Sequence, residues 1–460
     1  MENAEVPTLP PKQGGLSGHV PGSYREILGL SWPMIISTIS FTTMSFVSVM
    51  FVSWLGPSHT AAVVLGNTIA FQMASLAMGF LAAVRTVISQ DFGARRHQDI
   101  GRDVASGLAL AGSLGVVFLL VSLQAKPLAA WVAGTPTQAE MGGAYLFWRL
   151  LGFPAISVRI VFDNYFGAIG DTRTSMVVNI LANLLNILLT YLLVFGVGPL
   201  PALGVEGAAM ATVLSEISAA CMGTGAFLLR SNSRAIRAQG RVLPNLRAMR
   251  RIMKVGMPLA VQFFLEIGSF NVINLIISHV GDAAMAANGI VVQLLMLSFL
   301  PAQGVANGVS ILVGQYKGAG QPDFANLAAR RGFRLTAIYT TLWTLVFIFS
   351  SSPFIRLFTR DALVLTYGVH LMYIIASFQV IDGLGTVAYG ALQGAGDTLW
   401  PMLFGITGGW LVMVPVGLFT VFVLDWGVYG AWTAKACHIW VFALLNLWRF
   451  NHGAWRRITV

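Results

Sequence analysis

The sequence predicts an all-α polytopic membrane protein, with twelve transmembrane helices in two six-helix lobes related by internal pseudo-symmetry. Three observations carry this expectation. Hydrophobic residues make up 56% of the 460-residue chain and charged residues only 10%, against roughly 25% charged in a soluble protein, which needs that polar surface to stay dispersed. Long apolar runs recur over the whole length, and at roughly 20 apolar residues per span the chain has room for about a dozen. The two halves also repeat the same short signals at nearly constant spacing. A mean hydropathy of +0.73 excludes a cytosolic enzyme. The 49 Gly and 29 Phe suit helices that pack closely inside lipid.

Taken in order, residues 1–24 are rich in Pro and Gly and lack an apolar core, so they read as a disordered cytoplasmic tail and not a signal peptide. The first lobe, 25–230, carries spans at 27–54, 61–84, 104–124, 144–166, 174–196 and 206–229. A basic cytoplasmic linker follows at 231–252. The second lobe, 253–450, carries spans at 253–279, 285–313, 333–351, 365–392, 400–424 and 428–450, and a cytoplasmic tail closes the chain at 451–460. Cys221 and Cys437 both sit in apolar runs, so neither a disulfide framework nor a paired-cysteine metal site is expected.

Charge orients the spans. The net charge is +10, which on a soluble domain would suggest nucleic acid. Here 22 of the 28 Lys and Arg fall on one side of the twelve-span layout, among them Arg95, Arg96, Arg173, Arg247, Arg251, Lys317 and Arg331. That is the bias of cytoplasmic loops, and it places both termini in the cytoplasm with no nucleic-acid partner.

The repeat is read from five pairs of segments. Trp32-Pro33 answers Met257-Pro258, Ser53-Trp54-Leu55-Gly56 answers Ser278-His279-Val280-Gly281, and the loop Gln90-Asp91-Phe92-Gly93-Ala94 answers Gln315-Tyr316-Lys317-Gly318-Ala319, all three at one identical offset along the chain. At an offset longer by a single position, Gly170-Asp171-Thr172 answers Gly396-Asp397-Thr398; at a slightly shorter one, Gly204-Val205-Glu206-Gly207-Ala208 answers Gly427-Val428-Tyr429-Gly430-Ala431. Six spans per half make the repeats parallel, related by an axis along the membrane normal. Two lobes meeting at such an axis leave a central cleft that rocking opens to either side. In the Gly-Asp-Thr turns, Gly ends one helix while Asp171 and Asp397 are expected to cap the next.

Acidic groups at bilayer depth are costly and therefore functional candidates. Glu266 lies about 12 residues into the seventh span and Asp382 lies mid-span in the tenth. Either can exchange a proton, or offer oxygen ligands to Na⁺. Gln262, Glu266, Ser269, Phe270 and Asn274 recur at three or four residues, lining one helical face as a polar pocket. Lys435 and His438, three apart in span twelve, are expected to reach those acids, with snorkelling to the outer surface the alternative for Lys435. In the first lobe, Glu216 sits mid-span, Asp163 pairs with Arg159 four residues earlier, and Asn179, Asn183 and Asn186 share a face. Arg85 reads as interfacial. No His, Cys and Asp spacing supports a metal enzyme, and no nucleophile with a base is placed at a membrane face.

The ordered set SWP in span one, QDFGARR after span two, GAIGDT after span four and the echoes GQYKGAG and GAGDT resembles the multidrug and toxic compound extrusion (MATE) family, over about Ser31 to Arg449. The resemblance implies export of cationic or lipophilic small molecules against inward H⁺ or Na⁺, with no other cofactor. It also implies a cation-coupling and substrate role for Glu266 and Asp382, which align with the acids of the family's bacterial drug-exporting branch. Many bacterial members carry a further acid late in span one where this chain has Ser48, which moves coupling to the second lobe. Asn186 resembles a family asparagine. A monomer in a bacterial inner membrane is expected. The rival expectation is a lipid-linked saccharide flippase of the same superfamily, which would need a more cationic cleft; an enzyme or a channel is excluded by the missing constellation and the repeat.

Overall fold

The computed structural model describes residues 20–197, 201–229 and 242–459. Among them every regular element is helical. The first lobe comprises α1 (Tyr24–Ser53), α2 (Pro57–Gly93), α3 (His97–Ser122), α4 (Ala125–Val132), α5 (Pro136–Leu151), α6 (Phe153–Ala168), α7 (Thr172–Phe195) and α8 (Gly204–Leu229). The second comprises α9 (Leu246–Ser278), α10 (Asp282–Gly318), α11 (Pro322–Arg356), α12 (Ala362–Ala395), α13 (Leu399–Val423) and α14 (Gly427–His452). Eleven of these are long and apolar enough to cross a membrane, and α5 with α6 bring the number to twelve when taken as one span.

That fourth span is bent by 47° inside the run expected at 144–166. Gly152 ends α5, and Pro154 stands in the first turn of α6. Proline has no N–H to give the preceding turn, so it starts a helix more easily than it continues one. The short α4 lies between spans three and four and had no counterpart among the expected elements.

Residues 1–19 of the expected tail and 231–241 of the expected linker lie outside the described residues. Of the remainder, Tyr24 already opens α1, with the Ser23 hydroxyl accepting the Glu26 N–H at 3.3 Å. Likewise Leu246 opens α9, capped by Asn245. Beyond α14 the chain turns at Gly453 into a short 3₁₀ helix, Ala454–Arg457, that buries Trp455 against Phe450.

The inner ends of the lobes exchange a helix. Ile27 and Leu30 of α1 pack in the second lobe with Val309, Leu312 and Tyr316. Reciprocally, Ile252, Val255 and Leu259 of α9 pack in the first lobe with Phe80, Val84 and Val104. The outer half of the second lobe has its own core, including Ile273, Phe347, Phe378 and Trp432. The expected loop at Gln90–Gly93 is instead the last turn of α2, and Gln315–Gly318 the last turn of α10. Their polarity reads as loop, but each packs against the opposite lobe, and that packing carries the helix onward. Among the described residues, the side-chain hydrogen bonds joining the lobes lie at mid-depth and at the cytoplasmic end, as between Gln72 and the Phe264 carbonyl at 2.8 Å.

The paired turns are alike in backbone but not in side chain. Gly170 and Gly396 take φ of +83° and +81°, a left-handed conformation open to glycine. Asp171 caps α7 as expected, accepting from the N–H and hydroxyl of Thr174. Asp397 does not cap α13: its carboxylate holds Arg449 at 2.8 Å. The nearby guanidinium offers a charge-assisted bond, stronger than a neutral cap.

Candidate cation-coupling site

The second lobe gathers Glu266 from α9 and Asp382 from α12 close enough for their charges to interact. Gln262, one turn before Glu266 and 1% exposed, bonds the Glu266 side chain, and its Oε1 has no protein partner. Glu266 also acts electrostatically on Tyr389, one further α12 residue, and Tyr389 on Arg85 of α2. Arg85 is 9% exposed, so it is enclosed between helices and not at the interface expected for it. Tyr389 was not legible as a site residue. It sits in a run of small residues, and only the approach of α9 and α2 brings it toward the acid.

Neighbouring helices wall this group. α13 departs from the α-helix into a π-helical stretch over Thr407–Met413, a feature frequent at functional sites. Its two glycines make room: a Cβ at Gly408 would lie 2.6 Å from His438 Nδ1, and one at Gly409 would lie 2.8 Å from Ser269 Oγ. His438 is buried between Phe270 and Phe442, ring centroids 5.6 and 6.0 Å away, and its Nδ1 has no partner. The Trp410 indole N–H donates to the Leu265 carbonyl at 2.9 Å.

Lys435 is part of a different cluster. Its Nζ donates to Asn288 Oδ1 at 3.1 Å and sits 4.3 Å from the centre of the Trp432 ring, while the Trp432 N–H also donates to Asn288 at 3.1 Å. Asn288 in turn reaches Asn274 at 3.4 Å. At 5% exposed, Lys435 does not snorkel, and among the described residues it has no carboxylate partner. An amide oxygen and an aromatic face solvate the ammonium instead. Lys435 and Asn274 thus stand apart from the acid pair with which the helical-face pattern grouped them. Asn288, which joins them, is a polar residue early in an apolar run and carried no spacing signal.

The first lobe holds two further groups. Asn186, fully buried, accepts from Ser48 at 3.0 Å and donates to Ser215 at 3.0 Å and Thr212 at 3.3 Å. This cluster is neutral. In the other, Arg159 bonds Glu216 and holds Asp163 at 2.7 Å, and Asn179 donates to Asp163 at 3.4 Å. The Arg159–Asp163 pair is the one expected; Glu216 completes it from α8. The supporting residues therefore form separate groups in two lobes, because the lobes are separately packed bundles. Among the described residues no three His, Cys, Asp or Glu are grouped to hold a metal ion. Glu266, Asp382 and the free Gln262 oxygen offer the hard donors that suit Na⁺, and the two carboxylates can equally take protons.

The MatE family model matches residues 33–192 and again 258–419, two segments that begin at equivalent positions of the internal repeat, Pro33 and Pro258. The chain belongs to the MatE family. As a family member it is a multi-pass membrane transporter and not an enzyme. A protein of Chromobacterium violaceum called a probable multidrug resistance protein NorM is 28% identical over 94% of this chain and 95% of its own length. A Thermotoga maritima protein of the same name is 27% identical over 96% and 95%. Among solved structures, a MOP-superfamily transporter from Pyrococcus furiosus, described as having a binding pocket of reversed polarity, has a TM-score of 0.85 at 21% identity over 97% and 99% of the two chains. A multidrug resistance MATE transporter in its outward-facing conformation scores 0.85 at 21% identity over 95% and 97%. At such identities these likenesses establish the MatE fold.

Proposed function

We propose that this MatE-family transporter exports cationic or lipophilic small molecules in exchange for H⁺ or Na⁺, working as a monomer in a bacterial inner membrane with both termini cytoplasmic. The observation that carries this reading is that Glu266 of α9 and Asp382 of α12 lie close enough for their charges to interact, beside the buried Gln262. The names borne by its relatives support drugs as the cargo.

Two ionised carboxylates at bilayer depth attract a cationic substrate from the cytoplasm or inner leaflet. When the cleft opens outward, H⁺ or Na⁺ neutralises the same groups and the substrate loses its counter-charge. One pair of acids competed for by two ligands gives the negative coupling that exchange requires. The driving force is sufficient: each charge moved through about 100 mV contributes about 2.3 kcal/mol. The neutral Ser48–Asn186 cluster leaves the first lobe without a carboxylate at the corresponding place, so coupling rests on the second. The acidic pair also argues against a pyrophosphate-bearing lipid as cargo.

The test is ethidium accumulation in efflux-deficient cells expressing the wild type or Glu266→Gln. Lower accumulation with the wild type, abolished by the substitution, is expected. Ion-driven export by Glu266→Gln at the wild-type rate would refute the role assigned to Glu266.

A further inference from the structure

Arg85 is a buried cation with nothing to hold. It is 9% exposed, its Nε has no partner, and among the described residues its guanidinium makes no hydrogen bond or ion pair. By contrast, Arg159 holds Asp163 and Glu216, Arg251 holds Asp91, and Arg449 holds Asp397. A guanidinium stays charged in a protein, and a buried charge without a counter-charge weighs against the fold. Snorkelling does not relieve it. Gly93 ends α2 two turns further on, so Arg85 lies about 12 Å back along the helix from its cytoplasmic end. A Cβ at Gly167 of α6 would touch Arg85 Cδ at 4.0 Å and Ile311 Cδ1 of α10 at 3.7 Å. The stem therefore lies where α6 of one lobe faces α10 of the other.

Tyr389 of α12 stands nearby in the same condition. Its hydroxyl is buried without a partner, and it interacts electrostatically with Arg85 on one side and Glu266 on the other. The Thr86 hydroxyl, next along α2, donates to the Gln393 carbonyl of α12 at 3.0 Å and fixes the two helices together at this level. Asp382 precedes Tyr389 by two turns on the same face of α12, a separation of about 10 Å along the axis. The acid pair thus has an unmatched cation and an unmatched hydroxyl on its cytoplasmic side.

We propose that Arg85 and Tyr389 form an anion subsite, and that it takes the carboxylate of a transported molecule whose cationic group lies at Glu266 and Asp382. A guanidinium presents parallel N–H donors that fit both oxygens of a carboxylate, and the phenol adds a third donor from the facing helix. The cargo assigned in this way is a zwitterion, with its cation and its carboxylate at opposite ends and about 10 Å apart. Binding supplies the counter-charge that the fold itself withholds from Arg85. The cargo assignment rests on the reading of Glu266 and Asp382 as the cation site, whereas the anion subsite rests on Arg85 and Tyr389 alone.

The experiment compares two dyes on the purified protein in lipid nanodiscs by fluorescence anisotropy. Tetramethylrhodamine carries a delocalised cation and a free carboxylate; its methyl ester keeps the cation and loses the anion. Arg85→Met is expected to weaken binding of the free acid about tenfold, an effect of about 1.4 kcal/mol, while the ester binds as tightly as before or more tightly. Arg85→Lys, which keeps the charge without the fork, is expected to fall between, and Tyr389→Phe to weaken the free acid alone by less. Removing an unmatched buried charge is also expected to hold or raise Tm, so a marked fall in Tm with Arg85→Met would assign Arg85 to packing and overturn the proposal. Equal losses for both dyes, or no loss for either, overturn it as well. Acetate is then titrated against Tm: a rise in the wild type that Arg85→Met abolishes, with both dyes bound alike, would show a site for free anions and overturn the cargo assignment. Glu266→Gln is expected to weaken both dyes. If it weakens neither while Arg85→Met still selects against the free acid, the anion subsite stands and the cation reading of the acid pair falls.

Discussion

The sharpest consequence of the lobe crossing concerns Gly93. A Cβ placed there would lie 1.8 Å from the carbonyl oxygen of Gln315 and 2.6 Å from its carbon, and one at Gly318 would lie 1.9 Å from the carbonyl oxygen of Gln90. Both obstacles are backbone, so no side chain can rotate aside. Real Cβ atoms keep at least 3.0 Å, and Gly93→Ala must therefore drive α2 and α10 apart by more than 1 Å at the crossing. Overpacking of this kind costs about 1–3 kcal/mol, and parting the helices also breaks the bonds of the Gln90 amide to the Gly394 carbonyl and of the Gln315 amide to the Ala168 carbonyl, about 1 kcal/mol each. The sum is about 3–5 kcal/mol, and even its lower end moves a two-state population by roughly a hundredfold. Because each lobe has its own core, the expected result is an opened cytoplasmic side in a folded protein: longer distances by double electron–electron resonance between spin labels attached at the exposed Gln98 and Arg330, a reduced Tm, and little ethidium export. Gly112→Ala is the control, since a Cβ there meets nothing within 4 Å. Closed distances and an unchanged Tm in Gly93→Ala would show that the crossing is not the close contact described.

Cation binding is expected to weaken as pH falls, since protonation of Glu266 and Asp382 removes the charge that holds the cargo; a Glu266→Gln, Asp382→Asn double variant should flatten that dependence in a fluorescence-quenching titration with ethidium. In the outer half of the second lobe, Asn288→Leu would leave the Lys435 ammonium and the Trp432 N–H without their shared acceptor. Stranding a buried charge costs about 3–5 kcal/mol, so a clear drop in Tm is expected, whereas Lys435→Met in the same background should restore much of it; no recovery would mean that the ammonium is not the stranded group.

Much of the architecture was legible. The spans follow from apolar runs, their pairing into halves from the constant offset between repeated segments, and both depend on patterns that local sequence carries. Glu266 and Asp382 stood out because a carboxylate in an apolar run is conspicuous without knowing its neighbours. The bend at Gly152 was less visible, since hydropathy is continuous through it. Loop-like polarity at Gln90-Asp91-Phe92-Gly93 hid two further helical turns on α2 and α10, and equal spacing along α9 grouped Asn274 with Glu266 although their partners differ.

By itself, then, the sequence determined the solvent, the number of spans, the doubled layout and the two acids at depth, because each is written in composition or in spacing along one chain. The tertiary structure decided the partners that lie far apart along the chain. It sent Lys435 to Asn288 instead of the acids, added Glu216 to the Arg159–Asp163 pair that spacing already gave, and matched Glu26 with Tyr316 where the repeat has Arg251 with Asp91. A side chain's partner depends on which helix lies opposite and at what rotation, and that helix is often supplied from far along the chain.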